Sequence, residues 1–325
     1  MRLSVITVNW NSREDLATCL RSLARQTHQD LEVIVVDNGS ADGSAAMVRE
    51  EFPSVKLLAE TENLGFAEAC NRGIEASTGA WVALLNNDAW VEDDWAAATV
   101  RAAAGAPGDV AMLQSLMLFQ GKEGVVNSTG IQLKGNGSGV DRGEHQPRER
   151  FTCADEIFCP TGGAAVYRRD MLDRLKMASG YLDRRYFLYY EDLDLGWRAR
   201  LSGYRALLVP DAVVHHRYHG STDRLGKHRL FVLASGNRIR TLLKNASPQL
   251  MVQALPSLGR DVARVALRGG RSDLVSLGKA VVDGLATRPR ITSLLRHGRR
   301  EVERRWVDRL SRAAARRRGR AWLDC

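Results

Sequence analysis

Apolar runs and amphipathic stretches alternate through the first 115 residues of this chain. Leu3–Val8 is short and nearly continuously apolar, the pattern of a strand covered on both faces. Ser12, with Asp15 three positions on, reads as a helix N-cap, and Leu16, Leu20 and Leu23 follow at helical spacing. The same alternation predicts strands over Leu31–Val36, Val55–Ala59 and Trp81–Leu85. It predicts helices over Ala45–Glu51, Phe66–Ala76 and Asp93–Ala104. Such an order implies parallel strands joined by helical crossovers. Residues 120–150 hold few apolar positions and much Gly, Ser and charge, which predicts an irregular excursion or a mobile loop. Order resumes near Ile157, with short strands expected over Arg205–Val209 and Ala212–His215. From about Leu230 the pattern turns helical and arginine-rich.

The predicted strands share polar carboxyl ends: Asn9-Trp10-Asn11, Asp37-Asn38-Gly39-Ser40, Glu62-Asn63-Leu64-Gly65 and Asn86-Asn87-Asp88. Turn chemistry alone favours Asn, Asp and Gly in tight loops. In a parallel sheet, however, ligands bind beyond the carboxyl ends of the strands, so four such ends would line one crevice. Trp10 there can cover the flat face of a base or pack into the core.

A second cluster lies at residues 186–200, where Glu191, Asp192 and Asp194 follow an aromatic and apolar run. Carboxylates so close to apolar groups are costly to desolvate unless paired, bound to a cation or used for proton transfer. They also suit the positive end of a helix. Asp194 stands four residues before Arg198, the spacing of a helical ion pair, which favours a structural role for it.

Charge divides the chain. Residues 228–325 hold 22 Lys and Arg against 7 Asp and Glu, a balance of +15, whereas residues 1–227 hold 25 against 31, a balance of −6. Different partners are expected for the two parts. The acidic balance of the first argues against a nucleic-acid-binding protein led by the tail. No apolar stretch approaches the roughly 18–20 residues of a membrane span, and the first residues show no signal-peptide pattern. Five scattered cysteines favour a reduced cytoplasmic protein, although Cys153 and Cys159 could pair. In the last part, Val302, Trp306 and Leu310 recur every four residues among arginines. That stripe suits an anionic membrane surface, a helix packed on the rest of the chain, or a nucleic-acid-binding arm.

Seven segments in order resemble glycosyltransferase family 2, of the GT-A fold, and its rhamnosyltransferase-like members. They are Ser4–Ser12, Val36–Ser44, Glu62–Ala67 with Asn71, Leu84–Ala89, Thr161–Val166, Phe187–Arg200 and a His-containing segment ending in Gly220-Ser221-Thr222. The likeness covers about residues 2–245. It implies a Rossmann-like, mostly parallel sheet flanked by helices, with a C-terminal helical basic extension. The catalytic domain would span 1–227, with a nucleotide half of about 1–115 and an acceptor half of about 116–227; residues 228–325 would form the helical region.

The resemblance implies an inverting transfer of a sugar, with rhamnose the first candidate, from a nucleoside-diphosphate donor to a glycan or lipid-linked hydroxyl. It places Val8, Trp10, Asp37, Asn38, Asn63, Gly65 and Asn87 at the donor. It places Thr161, Gly162, Gly163 and Trp197 at the acceptor, although the spacing of Trp197 from Leu193 and Leu201 equally suits core packing. Asp192 matches the general base, with Glu191 as runner-up. Asp88 and His216 match the holders of a divalent ion, Mg²⁺ or Mn²⁺, with His215 and His219 as rivals; neighbours on a strand point to opposite faces, so His215 and His216 should not both reach it. Many relatives carry Asp-x-Asp where this chain has Asn86-Asn87-Asp88, so the ion is expected to arrive largely with the diphosphate. Family members commonly work on lipid-linked acceptors, which implies a cytoplasmic protein on the inner face of the membrane. A catalytically silent sugar-nucleotide-binding protein is the competing reading.

Overall fold

The computed structural model describes residues 1–217 and 226–307. Strand β1 (Leu3–Asn9), helix α1 (Arg13–Ala24), β2 (Leu31–Asn38), α2 (Ser44–Glu51), β3 (Lys56–Glu60), α3 (Phe66–Ala76) and β4 (Trp81–Leu85) follow the alternation read from the sequence. Strands β1, β2 and β3 pair in parallel, and β4 joins β1 in parallel on its other edge. The chain thus reverses its direction of sheet growth between β1 and β4, the position where such sheets open a crevice.

Successive residues of these strands feed two cores. Trp81, Ala83 and Leu85 meet α1 and α2 through Leu16, Leu20 and Met47. Val82 and Leu84 face α3 through Ala67, Cys70 and Ile74. Helix α1 does begin after Ser12, but that side chain does not cap it. The carboxylate of Asp42 accepts from the Arg13 N–H at 2.9 Å instead, so the loop after β2 closes the helix end.

Next come β5 (Ala89–Val91), α4 (Trp95–Gly105), β6 (Val110–Phe119), β7 (Val126–Ser128), β8 (Ile131–Leu133), β9 (Gly139–Asp141), β10 (Glu156–Ile157), β11 (Ala164–Arg168), α5 (Arg169–Leu175), α6 (Glu191–Leu201) and β12 (Arg205–His216). The main sheet runs β10-β12-β6-β11-β4-β1-β2-β3, with β11 antiparallel to both β4 and β6.

Two expectations are corrected here. Residues 120–150 form ordered structure: β7 pairs with β6, and β8 and β9 form a hairpin. Val126 and Leu133 are fully buried, so a few well-placed apolar residues suffice to anchor a polar segment. The two short strands expected over 205–215 are one strand, β12, whose register shifts between Val209 and Val213; Pro210 lies in that irregular stretch, where a missing N–H is tolerated.

Four helices complete the described chain: α7 (Lys227–Asn245), α8 (Pro248–Arg268), α9 (Arg271–Ser293) and α10 (Arg299–Trp306). None of the helices described is long and apolar enough to cross a membrane. Helix α7 packs into the catalytic region. Leu242 and Ala246 share a core with Leu193 and Trp197 of α6, and Val302 of α10 joins them. Trp306 lies against Phe158 and under the Arg200 guanidinium, 4.5 Å from its ring centroid. The described part of the Val302/Trp306 stripe is therefore packed on the protein rather than free to meet a membrane. Leu310 and the following arginines lie outside the described residues. Cys153 and Cys159 are both free thiols.

Candidate active site

A cleft of about 460 Å³ opens across the carboxyl ends of β1, β2 and β4. Val8, Trp10, Asn38, Asn63, Gly65, Asn87 and Asp88 line one side, with His216 beside Asp88; Thr161, Gly162, Gly163, Glu191 and Asp192 line the other. Asn63 lies 25 residues beyond Asn38 in sequence; in space, side-chain amides stitch the strand ends together. Asn38 donates to Asn63 Oδ1 at 2.9 Å and accepts from the Leu64 N–H at 2.9 Å. Asn87 donates to Asn9 Oδ1 at 2.8 Å. Trp10 is half-buried and faces the cleft, not the core.

Asp37 departs from its expected place. It is buried behind the cleft wall, where its carboxylate accepts from Asn9 Nδ2 at 3.1 Å and from the Ser40 N–H at 3.2 Å. It shapes the β1 and β2 ends, and Asn38 is the residue of this pair that lines the cavity. Trp197 is likewise corrected. It is fully buried in α6, edge-on to Phe158 with ring centroids 5.9 Å apart, and offers no surface to a sugar. Its Leu193/Leu201 spacing reflected that inward face.

At the end of β12, His216 Nε2 lies 3.1 Å from Asp88 Oδ1, and its Nδ1 lies 2.9 Å from Asn127 Oδ1. A carbonyl oxygen can only accept, so this orientation of Asn127 puts a proton on Nδ1. The Nε2 lone pair then faces a carboxylate oxygen. Two acceptors at that distance call for a proton or a cation between them. An oxygen and an imidazole nitrogen suit Mg²⁺ or, better, Mn²⁺. Among the described residues no cluster of three or more His, Cys, Asp or Glu could hold an ion alone, so the remaining ligands would be diphosphate and water oxygens. His215 points to the opposite face, bonded to Glu92 at 3.1 Å and stacked on Trp90 at 3.9 Å. His219 lies outside the described residues.

The opposite wall is built differently. Phe187, Tyr189 and Tyr190 all adopt positive φ, between 61° and 72°, a conformation that side chains rarely take. This strap leads straight into α6 and sets Glu191 and Asp192 at its first turn. Gly65 admits the strap, because a Cβ there would lie 2.4 Å from the Phe187 ring. Helix α7 holds it from behind: Asn237 Nδ2 lies 2.9 Å from the carbonyl oxygens of Tyr186, Leu188 and Tyr189. Below, Lys244 Nζ bridges Asp183 at 2.9 Å and Asp194 at 2.8 Å, and Arg198 bonds Asp194 at 2.9 Å; Asp183, Asp194, Arg198 and Lys244 have fully buried side chains. Asp194 thus has the structural role its spacing predicted.

Burial pushes the Lys244 ammonium down, while both carboxylates are held below their usual range: burial opposes this, and the nearby positive charges overcome it. With two carboxylates within hydrogen-bond distance, the charged ammonium is the consistent form.

Glu191 and Asp192 separate in character. Asp192 Oδ2 accepts from the Gly162 N–H at 2.8 Å and from Thr161 Oγ1 at 3.4 Å, and Oδ1 accepts from the Leu193 N–H at 2.7 Å. Burial raises its pKa, and these donors counter that rise. Glu191 is pushed well above the carboxylate range, first by burial and then by the Asp192 charge; its Oε2 is buried with no hydrogen-bond partner among the described residues. The shared charge therefore rests better on Asp192, which leaves Glu191 the protonated member.

Sequence reasoning missed Asn127, Asp141, Asn237 and the strap. Asp141, on β9, lines the cleft, and burial pushes its carboxyl up to about 6. The turn signal Asn136-Gly137 between Ile131–Leu133 and Gly139–Asp141 could have revealed its hairpin.

A parallel nucleotide-type half, a cleft across its strand ends and an acid pair facing a carboxylate–imidazole pair define a glycosyltransferase of the GT-A fold. The chain belongs to glycosyltransferase family 2: the model of Glycosyl transferase family 2 matches residues 4–176. It is 30% identical over 250 residues to the N-acetylglucosaminyl-diphospho-decaprenol L-rhamnosyltransferase of Mycobacterium tuberculosis, covering 68% of this chain and 78% of that protein. The fold is similar to a mannosyltransferase of Pyrobaculum calidifontis solved with GDP-Man and Mn²⁺ (TM-score 0.52, 21% identity, 90% of this chain and 85% of that one). It is also similar to GalNAc-T7 solved with UDP, GalNAc and Mn²⁺ (TM-score 0.62, 16% identity, 80% and 51%).

Proposed function

We propose that this enzyme transfers a sugar, with inversion, from a nucleoside diphosphate to a hydroxyl of a glycan or lipid-linked acceptor in polysaccharide or cell-wall assembly. The observation that carries this reading is the Asp192 carboxylate, fixed by the Gly162 and Leu193 N–H groups and open to the cleft that also holds Asp88 and His216. Rhamnose is the preferred donor sugar, on the likeness to the mycobacterial rhamnosyltransferase.

The nucleoside would lie over Val8, Trp10, Asn38 and Asn63. Asp88 and His216 would hold a divalent ion, which when bound neutralises the diphosphate and its developing charge. The acceptor would enter beside Thr161, Gly162 and Gly163. Its hydroxyl oxygen attacks the anomeric carbon from the face opposite the leaving group as the bond to the β-phosphate oxygen breaks. Asp192 takes the hydroxyl proton, and a single base suffices for this single displacement. A lipid-linked acceptor would keep the enzyme on the inner face of the membrane. A silent sugar-nucleotide-binding protein has no use for a positioned base.

The test is turnover of UDP-, dTDP- and GDP-sugars with a soluble acceptor analogue, with and without Mn²⁺, and NMR assignment of the product anomer. Release of nucleoside diphosphate and a glycoside product of inverted anomeric configuration are expected, strongest with a rhamnose donor. Retention of configuration, or no turnover of any donor, would overturn the reading.

A further inference from the structure

Nine of the twelve large hydrophobic side chains exposed among the described residues lie on α8 and α9. On α8, Val252, Leu255 and Val262 recur at spacings of three and seven, a single outward stripe; Val252 is 66% and Leu255 59% exposed. On α9, Leu274, Val282 and Leu285 form a matching stripe, with Val282 65% exposed. The opposite face of each helix is already used. Leu250 and Ala254 enter the α6–α7 core, and a Cβ on Gly284 would come 2.7 Å from Leu243 of α7, so α9 packs tightly there. The outward stripes are thus not the spare edge of an internal contact.

Charge around the stripes has one sign. Arg260, Arg264, Arg268, Arg271, Lys279 and Arg290 are all exposed. The three acids of the two helices each have a partner: Asp261 pairs with Arg238 at 3.0 Å, Asp273 with His228 at 3.0 Å, and Asp283 with Arg240 at 3.0 Å. An apolar face rimmed by exposed cations is complementary to an anionic lipid surface, where the side chains sink to the acyl boundary and the arginines meet headgroups. A second copy fits less well, because a two-fold contact would bring the two positive rims together.

We propose that the α8–α9 hairpin is a membrane-docking face that lies flat on an anionic bilayer. The hairpin is tied to the acceptor wall, since Arg185 beside the strap bonds Asp283 at 3.5 Å and Ala234 of α7 lines the cleft. Docking would therefore present that wall to the bilayer. Only this purpose rests on the lipid-linked-acceptor reading; adsorption itself does not.

The test is sedimentation of the full chain, without substrates, on vesicles of phosphatidylcholine alone and with about one-third phosphatidylglycerol. Wild type should bind the anionic vesicles selectively, and less as salt rises. Leu255→Glu with Val282→Glu should weaken binding by roughly tenfold or more, because two inserted side chains become charged. Arg260→Ser with Arg264→Ser should weaken it by roughly fivefold per arginine. This rim pair gives an independent reading should the first variant unfold. Equal vesicle binding by wild type and both variants would overturn the proposal, as would absence of binding. A wild-type dimer abolished by Leu255→Glu with Val282→Glu would also overturn it and assign the face to a second copy. Vesicle binding without sugar transfer would fail the functional reading and leave this one standing.

Discussion

The two walls of the cleft reach the same precision by different means. The donor wall sits on the ends of three parallel strands, and backbone register from Leu3↔Leu31 to Asn9↔Asp37 fixes where Val8, Trp10 and Asn38 point. The acceptor wall is a strap of positive-φ residues with no sheet partner, held by Asn237 and seated on a buried network around Lys244. A sheet supports its edges through the whole core, whereas a strained strap depends on a few polar contacts. Damage to α7 should therefore act at the acid pair and spare the nucleotide.

The largest effect is expected at the acid pair itself. Asp192→Asn should lower kcat by about 10²–10⁴-fold, the usual range for losing a general base. A rate within about threefold of wild type in a transfer assay would assign proton removal elsewhere. Next is Lys244→Ala, which leaves Asp183 and Asp194 buried without their shared cation. Breaking a buried ion pair costs about 3–5 kcal/mol, to be read by denaturant unfolding. A loss below about 1 kcal/mol would show that the strap stands without this network.

Asn237→Ala should cost about 1–3 kcal/mol by leaving buried carbonyls unpaired. Its informative readout is the split between kcat and donor affinity. The account expects kcat to fall while donor Kd holds. A change in Kd alone would mean that α7 supports the donor wall.

These contrasts also explain what could be read from the sequence. The parallel half was legible because a doubly covered strand is an apolar run that ends abruptly in polar residues, as Leu84-Leu85 gives way to Asn86-Asn87-Asp88. The acids at 191–194 were legible because desolvated carboxylates stand out against Tyr189 and Tyr190. The support was not. Nothing local to Asn237 or Lys244 marks them as partners of residues about 50 positions away, such as Tyr186 at 51 and Asp194 at 50. Asn127, which orients His216, sat in a segment too polar to read as packed. Trp197 and Asp37 show the converse error: a chemically capable side chain at a plausible motif position can face inward, and only packing decides.

The smallest effect concerns Glu191. Its folded-state pKa lies above its unfolded value, so the folded protein binds more protons between the two. Its contribution is then fully present below the ordinary value of about 4.3 and is lost as pH rises toward the raised value. Glu191→Gln should remove that slope, leaving the variant relatively more stable at neutral pH than in acid. Thermal unfolding of both proteins from about pH 4 to 8 checks this; parallel curves would show that Glu191 is ionised in the native state.

Titration calorimetry of a nucleoside-diphosphate sugar with Mn²⁺ into wild type, Asp88→Ala and Asp192→Asn tests the division of the cleft most directly. The account predicts a donor Kd within about threefold of wild type for Asp192→Asn, and at least about tenfold weaker for Asp88→Ala, in line with loss of a metal-supported diphosphate contact. The reverse pattern, with Asp192→Asn losing the donor and Asp88→Ala keeping it, would contradict the assignment of the two walls.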